Sequence, residues 1–384
     1  MRRLVALDMP GGPPFVEELR RAWDDGDAVW PVDQRLSGEA RSRLLAAIRP
    51  GCLVGPGGER RDLEGGETVE EGDALVVATS GSTGEPKGVV LTHDAVAASA
   101  RATSSRLGVD PSRDRWWACL PLSHVGGLSV VTRSLVTGVP CDVVAGFVRE
   151  GAGEALEAGA TLTSLVPAAL ARLDEAVVAR WRRIVLGGQA PPAGLPDNVV
   201  TTYGMTETGS GVVYDGVPLD GVEVRVEDGE ILLRCPMLLR AYRDGTDPKD
   251  AGGWFATGDA GELGADGRLV VHGRIGELVV TGGENVWPAA VEPLLLRHPA
   301  VREVAVAGTP DPEWGERVVA YVVLGEVGVA AAELLAELRE LVRADLAGFA
   351  APREVVVVEA LPRTAIGKVA REALPGLRGP SASL

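Results

Sequence analysis

At 384 residues the chain is longer than one hydrophobic core usually supports, and its 46% hydrophobic content is ample for burial, so one large domain and a smaller one are expected. A formal net charge of -16, with no dense Lys/Arg block, argues against a nucleic-acid backbone or an anionic membrane surface as partner. Four cysteines, Cys52, Cys119, Cys141 and Cys235, stand singly, which excludes a disulfide framework and a structural zinc and fits a reducing, cytoplasmic setting.

The opening MRRLVALDMPGGPP has too short an apolar part for a signal peptide, and no run of about 18 apolar residues follows, so no stable membrane insertion is expected. Residues 1–72 read as mixed, with amphipathic helices over residues 15–23 and 38–48 and a Gly/Glu-rich connection over 55–72. From Ala74 onward, ALVVA, DRWWACLPL, CDVVAG, TLTSLVP, RRIVLGG and NVVTTYG read as strands. HDAVAASARATSSRLG, GLSVVTRSLVTG and PAALARLD read as the helices between them, which predicts an α/β layer on a buried, largely parallel sheet. After Tyr214 the texture changes to hairpins, GVEVRVEDGEILLR around Asp228-Gly229 and ELGADGRLVVHGR around Asp266-Gly267, which predict a small β-rich subdomain. Beyond Arg274 come TGGENVWP, a Pro-started helix near residues 288–297, strands REVAVAG and RVVAYVVLG, a helix over 330–346 and the strand REVVVVEAL. The expected division is 1–274 and 275–384, the second part being a compact α+β unit with a frayed GPSASL tail.

TSGSTGEPKGV, residues 79–89, reads as a phosphate loop between the strand ALVVA and the helix that follows, whose N-terminus would favour anions. It fails as a Walker loop at two positions, because Pro86 stands where the second glycine belongs and Gly88 follows Lys87 where Ser or Thr is required. It retains what phosphate needs: Gly81 and Gly84 for close approach, hydroxyls from Thr79, Ser80, Ser82 and Thr83, and the charge of Lys87. Of 38 basic residues only Lys87, Lys249 and Lys368 are lysines, whose compact charge on a thin stem suits narrow phosphate sites.

This string resembles the signature of the adenylate-forming superfamily of acyl- and aryl-CoA synthetases, peptide-synthetase adenylation domains and luciferases. PLSHVGG (121–127), LGGQAPP (186–192), YGMTETG (203–209), TGD (257–259), GR (273–274) and LPRTAIGK (361–368) resemble its other motifs, in the same order. The resemblance implies a small mobile C-terminal domain, and a reaction in which ATP adenylates a carboxylate with loss of pyrophosphate before the acyl group passes to a thiol such as CoA. It places Thr79, Ser80, Gly81, Ser82, Thr83, Gly84 and Lys87 on the outer phosphates. Gly187, Gly188 and Gln189 fall on the adenine side, and Tyr203, Gly204 and Met205 are counted with the ATP- and AMP-binding residues. Thr206 falls on the α-phosphate, Glu207 on magnesium, and Asp259 with Arg274 on the ribose. Lys368, from the mobile domain, would bridge the substrate carboxylate and the α-phosphate. Gly282, Gly283 and Glu284 would line a tunnel for CoA, although a Gly-Gly turn explains them as well. Gly276 departs from the Asp or Lys hinge that many relatives carry.

The acid site is expected around His124, Leu165, Val166, Gly188 and Thr206, with His124 either a pocket wall or a structural residue. Arg133 shares a small, polar helix face with Gly126, Ser129, Val130 and Thr137, from which a cation could reach an anionic substrate or simply remain solvated. PLSHVGGLSVVTRSLVTG, TSLVPAALARL, VLGGQAPP and GGENVWPAAVE together resemble the o-succinylbenzoate-CoA ligase branch, which serves menaquinone biosynthesis. That implies a dicarboxylate substrate, with Arg133 recognising the carboxylate that is not activated. The alternatives are another aryl- or acyl-CoA ligase, a stand-alone adenylation module loading a carrier protein, and a non-catalytic nucleotide binder. The expected partners are ATP, Mg2+, CoA and a small carboxylic acid, without nucleic acid, and the sequence allows a homo-oligomer.

Overall fold

The computed structural model describes residues 2–80, 86–192, 194–325, 330–364 and 369–383. The chain divides into two compact units, one of Met1–Arg225, Leu232–Ala256 and Leu263–Leu269, the other of Val226–Ile231, Thr257–Glu262 and Val270–Leu384.

The first unit is built on two seven-stranded sheets. One runs, in spatial order, Ala241–Tyr242, Pro86–Thr92, Asp73–Ser80, Ala28–Pro31, Leu4–Leu7, Cys52–Val54 and Arg60–Asp62. Its central strands Leu4–Leu7 and Ala28–Pro31 are parallel and wholly buried, so both faces are apolar. The sequence reading had assigned residues 1–72 to helices and a connection. The helices are there, as Pro13–Asp24 and Gly38–Ile48, but the strands between them were missed. LVAL, AVWP and CLV are too short to show a period, and a proline ends the second.

A second difference concerns TSGSTGEPKGV. Asp73–Ser80 and Pro86–Thr92 pair antiparallel, Thr79 opposite Lys87 and Ser80 opposite Pro86, so the motif is the end of a β-hairpin and not a strand-to-helix loop. The helix His93–Leu107 begins a full strand later, about 20 Å along the chain at ~3.3 Å per residue, too far for its N-terminus to serve the loop. That helix is instead capped by Thr92, whose Oγ1 accepts from the Ala95 amide at 3.1 Å, and ends at Gly108 with φ 58°.

The second sheet runs Val217–Pro218, Ser210–Tyr214, Val199–Met205, Arg183–Leu186, Leu162–Leu165, Trp116–Ala118 and Cys141–Val143. Its last five strands are parallel, as the apolar runs predicted, and Ser210–Tyr214 returns antiparallel. The helix Val125–Thr137 lies close against the segment before it: a Cβ on Gly127 would come 2.4 Å from the Leu120 carbonyl oxygen. PAALARLD is helical only over Pro167–Leu170; a second short helix begins at Glu175 behind Asp174. At the predicted turn between Glu223–Glu227 and Glu230–Arg234, Asp228 and Gly229 both have positive φ, 49° and 84°, the signature of a type I′ turn.

In the second unit, Val301–Asp311 and Gly315–Leu324 form a long antiparallel pair, and Glu354–Val357 adds in parallel. Helices Pro288–Leu295 and Ala331–Asp345 contribute Val291, Leu295, Leu334 and Leu338 to a core with Val306, Val322 and Val355. The tail expected to fray does not, because Ser381–Ser383 pairs antiparallel with Glu354–Val357. Among the described residues no helix is long and apolar enough to cross a membrane.

Candidate active site

Three adjacent parallel strands of the second sheet end side by side, and their C-terminal ends carry three of the predicted segments. Leu165 closes Leu162–Leu165, Gly187, Gly188 and Gln189 follow Arg183–Leu186, and Tyr203, Gly204 and Met205 close Val199–Met205. The packing there leaves no space for a side chain at Gly187 or Gly204. The Gly187 amide donates to the Leu165 carbonyl at 3.2 Å, and a Cβ on Gly187 would meet Thr202 Oγ1 at 2.5 Å. Gly188 has φ 90° and faces Val166, while Gln189 is exposed. At Gly204 the strand is bulged, and a Cβ would lie 2.2 Å from the Ser210 carbonyl oxygen.

Thr206 and Glu207 begin the tight turn Thr206–Thr208. The Met205 amide donates to Thr208 Oγ1 at 3.0 Å, and Gly209 ends the turn with φ 67°. Glu207 is held at two points by a segment that sequence reasoning missed. The Leu239 amide donates to the Glu207 carbonyl at 2.7 Å, and the Tyr242 hydroxyl donates to Glu207 Oε1 at 3.1 Å. Lys87 completes the group, its Nζ lying 4.8 Å from the centre of the Tyr242 ring. Nothing in the spacing ties Tyr242 to a glutamate 35 residues earlier, so only the fold shows it. The described residues contain no group of three His, Cys, Asp or Glu able to cage a metal by themselves. One partly exposed carboxylate is nevertheless the donor that fits Mg2+ when substrate phosphates supply the remaining oxygens.

On the acid side, His124 is the N-cap of Val125–Thr137. Arg35 Nη2 lies 3.0 Å from His124 Nε2, and Asp33 Oδ2 lies 3.6 Å from it. Arginine only donates, so the contact with Arg35 asks Nε2 to accept, while the Asp33 carboxylate faces the same nitrogen. Burial alone would raise the Asp33 carboxyl, but hydrogen bonds from the Arg35 side chain and amide outweigh it and hold the group at about 2. Neither Asp33 nor Arg35 was legible as a site residue, since both come from the loop after a missed strand.

Arg133 is 1% exposed, which removes the solvated-helix alternative. Its guanidinium stacks 4.7 Å over Trp116, and Nη2 donates to Ser210 Oγ at 3.4 Å. Nε and Nη1 have no hydrogen-bond partner. Burial lowers its proton affinity, yet an arginine stays charged, so a buried cation faces the interior with donors unspent. A small cavity is lined by Val125, Leu128, Ser129 and Thr132 of the same helix and by Gly209, with Arg133 itself not in its wall. Leu165 is buried in the strand layer and Val166 lies against Gly188; neither lines that cavity.

The second unit carries the remaining candidates. Arg274 Nε pairs with Asp259 Oδ1 at 2.9 Å, and its Nη1 donates to the Thr257 carbonyl at 2.8 Å. Gly282 and Gly283, with φ 61° and 83°, form the two-residue turn between Val279–Thr281 and Glu284–Val286, and Glu284 opens the second strand. A Cβ on Gly282 would meet the Trp314 ring at 2.8 Å. At Gly276 a Cβ would meet nothing. Arg371 is bound by Glu292 and lies 2.9 Å from Glu277. Gly81, Ser82, Thr83, Gly84 and Lys368 lie outside the described residues, as does the side chain of Ser80.

Residues 31–286 match the family model described as AMP-binding enzyme, and residues 290–368 match its C-terminal domain. The chain belongs to the AMP-binding enzyme family. It is 44% identical over 368 residues to a probable 2-succinylbenzoate-CoA ligase of Mycobacterium tuberculosis, covering 90% of this chain and 93% of that one. A 2-succinylbenzoate-CoA ligase of Listeria monocytogenes is 35% identical over 329 residues, with 78% of this chain and 69% of the relative covered. Among solved structures, o-succinylbenzoate CoA synthetase (MenE) from Bacillus subtilis bound to the acyl-adenylate intermediate superposes with a TM-score of 0.85 at 28% identity. That match covers 99% of this chain and 90% of the other. The same synthetase with ATP and magnesium ion gives 0.81, covering 98% and 90%.

Proposed function

We propose that this chain is an ATP- and CoA-dependent ligase that converts o-succinylbenzoate to its CoA thioester, acting in the cytoplasm in menaquinone biosynthesis. In the first step a carboxylate oxygen attacks the α-phosphorus, the bond to the β-phosphate oxygen breaks, and pyrophosphate leaves. In the second the CoA thiolate attacks the acyl carbon and AMP leaves. Both steps place charge on oxygens, so the site needs donors and cations and no protein nucleophile.

Magnesium, held by Glu207 with the phosphates, would neutralise charge on the nucleotide. Thr206, next in the same turn, faces the α-phosphate in this reading, and Lys87 at the hairpin holds the outer phosphates. Asp259 accepts from the ribose hydroxyls, with Arg274 keeping its carboxylate oriented. Lys368 meets the carboxylate and the α-phosphate together, and residues 275–384 move as a unit so that Gly282, Gly283 and Glu284 then line the path of CoA.

The observation that carries the choice of acid is Arg133. A dicarboxylate has one carboxylate to activate and one to be recognised, and a buried guanidinium with Nε and Nη1 unspent matches the second. The test is a panel of carboxylic acids assayed for ATP-dependent thioester formation, with free CoA compared against a phosphopantetheinylated carrier protein. Preference for o-succinylbenzoate with CoA is expected; preference for another acid, or for the carrier, would refute the reading.

A further inference from the structure

We infer that Tyr242 is a positioning residue, fixing the carboxylate of Glu207 for its metal with the hydroxyl and steadying Lys87 with the ring. This rests on the reading of Glu207 as the magnesium carboxylate. The Tyr242 hydroxyl donates to Oε1 at 3.1 Å, a charge-assisted bond that directs the other oxygen away from the phenol. Tyr242 also stands opposite Val89 in the edge pairing, so Lys87, two residues along the same strand, is its diagonal neighbour on the same sheet face. The 4.8 Å separation of Nζ and ring centre follows from that register.

The segment around Tyr242 is fastened more firmly than a two-stranded edge requires. Arg240 forms a forked pair with the buried Asp73 at 2.8 and 3.0 Å, and Arg243 donates to the carbonyls of Ile48, Thr68 and Glu67. Lys249 Nζ donates to the Leu239 and Arg240 carbonyls at 2.8 and 3.0 Å. Leu239 in turn donates its amide to Glu207. A lysine outside every recognised motif thus braces the peptide that holds the main-chain carbonyl of Glu207. The arrangement has the form of an outer shell, where a partner that touches no ligand sets the orientation of one that does.

The probe is Mn2+, followed by its electron paramagnetic resonance signal as it is titrated into the full-length enzyme with saturating ATP and no acid. Tyr242→Phe is expected to weaken Mn2+ binding roughly tenfold, in the range found for outer-shell partners, with unchanged thermal unfolding and unchanged o-succinylbenzoate affinity. Glu207→Gln is the reference. Wild-type Mn2+ binding by Tyr242→Phe alongside loss in Glu207→Gln would overturn the inference while leaving Glu207 its role. Wild-type binding by Glu207→Gln would show that the underlying reading is wrong, and the inference falls with it. ATP affinity in EDTA tests the ring: Tyr242→Leu should weaken it about two- to fivefold relative to Tyr242→Phe, the size of a partly exposed cation–π contact. Equal affinities would remove the link to Lys87.

Discussion

A guanidinium buried to 1% exposure with two nitrogens unpaired is costly unless an anion completes it. Arg133→Lys keeps the charge but loses the planar fork and the stacking on Trp116. We expect the KM for o-succinylbenzoate to rise roughly 10- to 100-fold, the scale of hydrogen bonds to a charged group, with the KM for ATP unchanged. Steady-state kinetics in both substrates checks this, and an ATP effect of equal size would refute it. Asp33 gives a pH prediction. Its folded carboxyl is held at about 2, below the ordinary 3.8, so its contribution to stability is full above about pH 4 and is lost as pH falls toward 2. The difference in unfolding free energy between wild type and Asp33→Asn should therefore shrink between pH 4 and 2, measured by urea titration. Arg133 was visible in the sequence because helical spacing set it on a face of small residues. Asp33, Arg35 and Tyr242 were not, because their link to the site exists only in the folded chain.

Among the elements, the glycines separate those the backbone demands from those it does not. Gly204→Ala would drive a methyl into the Ser210 carbonyl at 2.2 Å, an overlap only backbone movement relieves. A cost of about 3 kcal/mol or more and loss of adenylation are expected. Gly276→Ala, whose methyl would meet nothing, should leave the unfolding temperature unchanged, and calorimetry on the pair checks both. Most parallel strands of the second sheet were legible because they are β-branched runs closed by Gly or Pro, whereas Trp116–Ala118 showed only as an apolar run. LVAL and CLV are only 4 and 3 residues long, too short to show a period, and without them the first sheet could not be assembled in advance. The hairpin was missed for another reason: the helix was read correctly from His93, but VVL between it and the loop was not assigned to a strand, although Pro86–Thr92 is one.

For the whole molecule, the order of motifs from residue 79 to residue 368 was readable because adenylation needs particular residue types, whatever fold carries them. Their distribution over two units was not, since Thr257–Glu262 belongs to the second unit although the chain on either side of it belongs to the first. If residues 275–384 move between the half-reactions, Lys368→Ala should lose adenylate formation by orders of magnitude while thioester formation from preformed acyl-adenylate survives. Rapid-quench assays of each half-reaction decide it, and equal losses would refute the assignment. The hairpin that carries Lys87 also bears on how such a protein can diverge. Strand residues alternate between faces, so deleting one residue from Pro86–Thr92 would turn the lysine to the opposite side of the sheet, whereas inserting residues between Ser80 and Pro86 would leave its direction untouched. Length changes are thus tolerable between the two strands and ruinous within them, which lets the connection drift across generations while the sheet beneath it stays fixed.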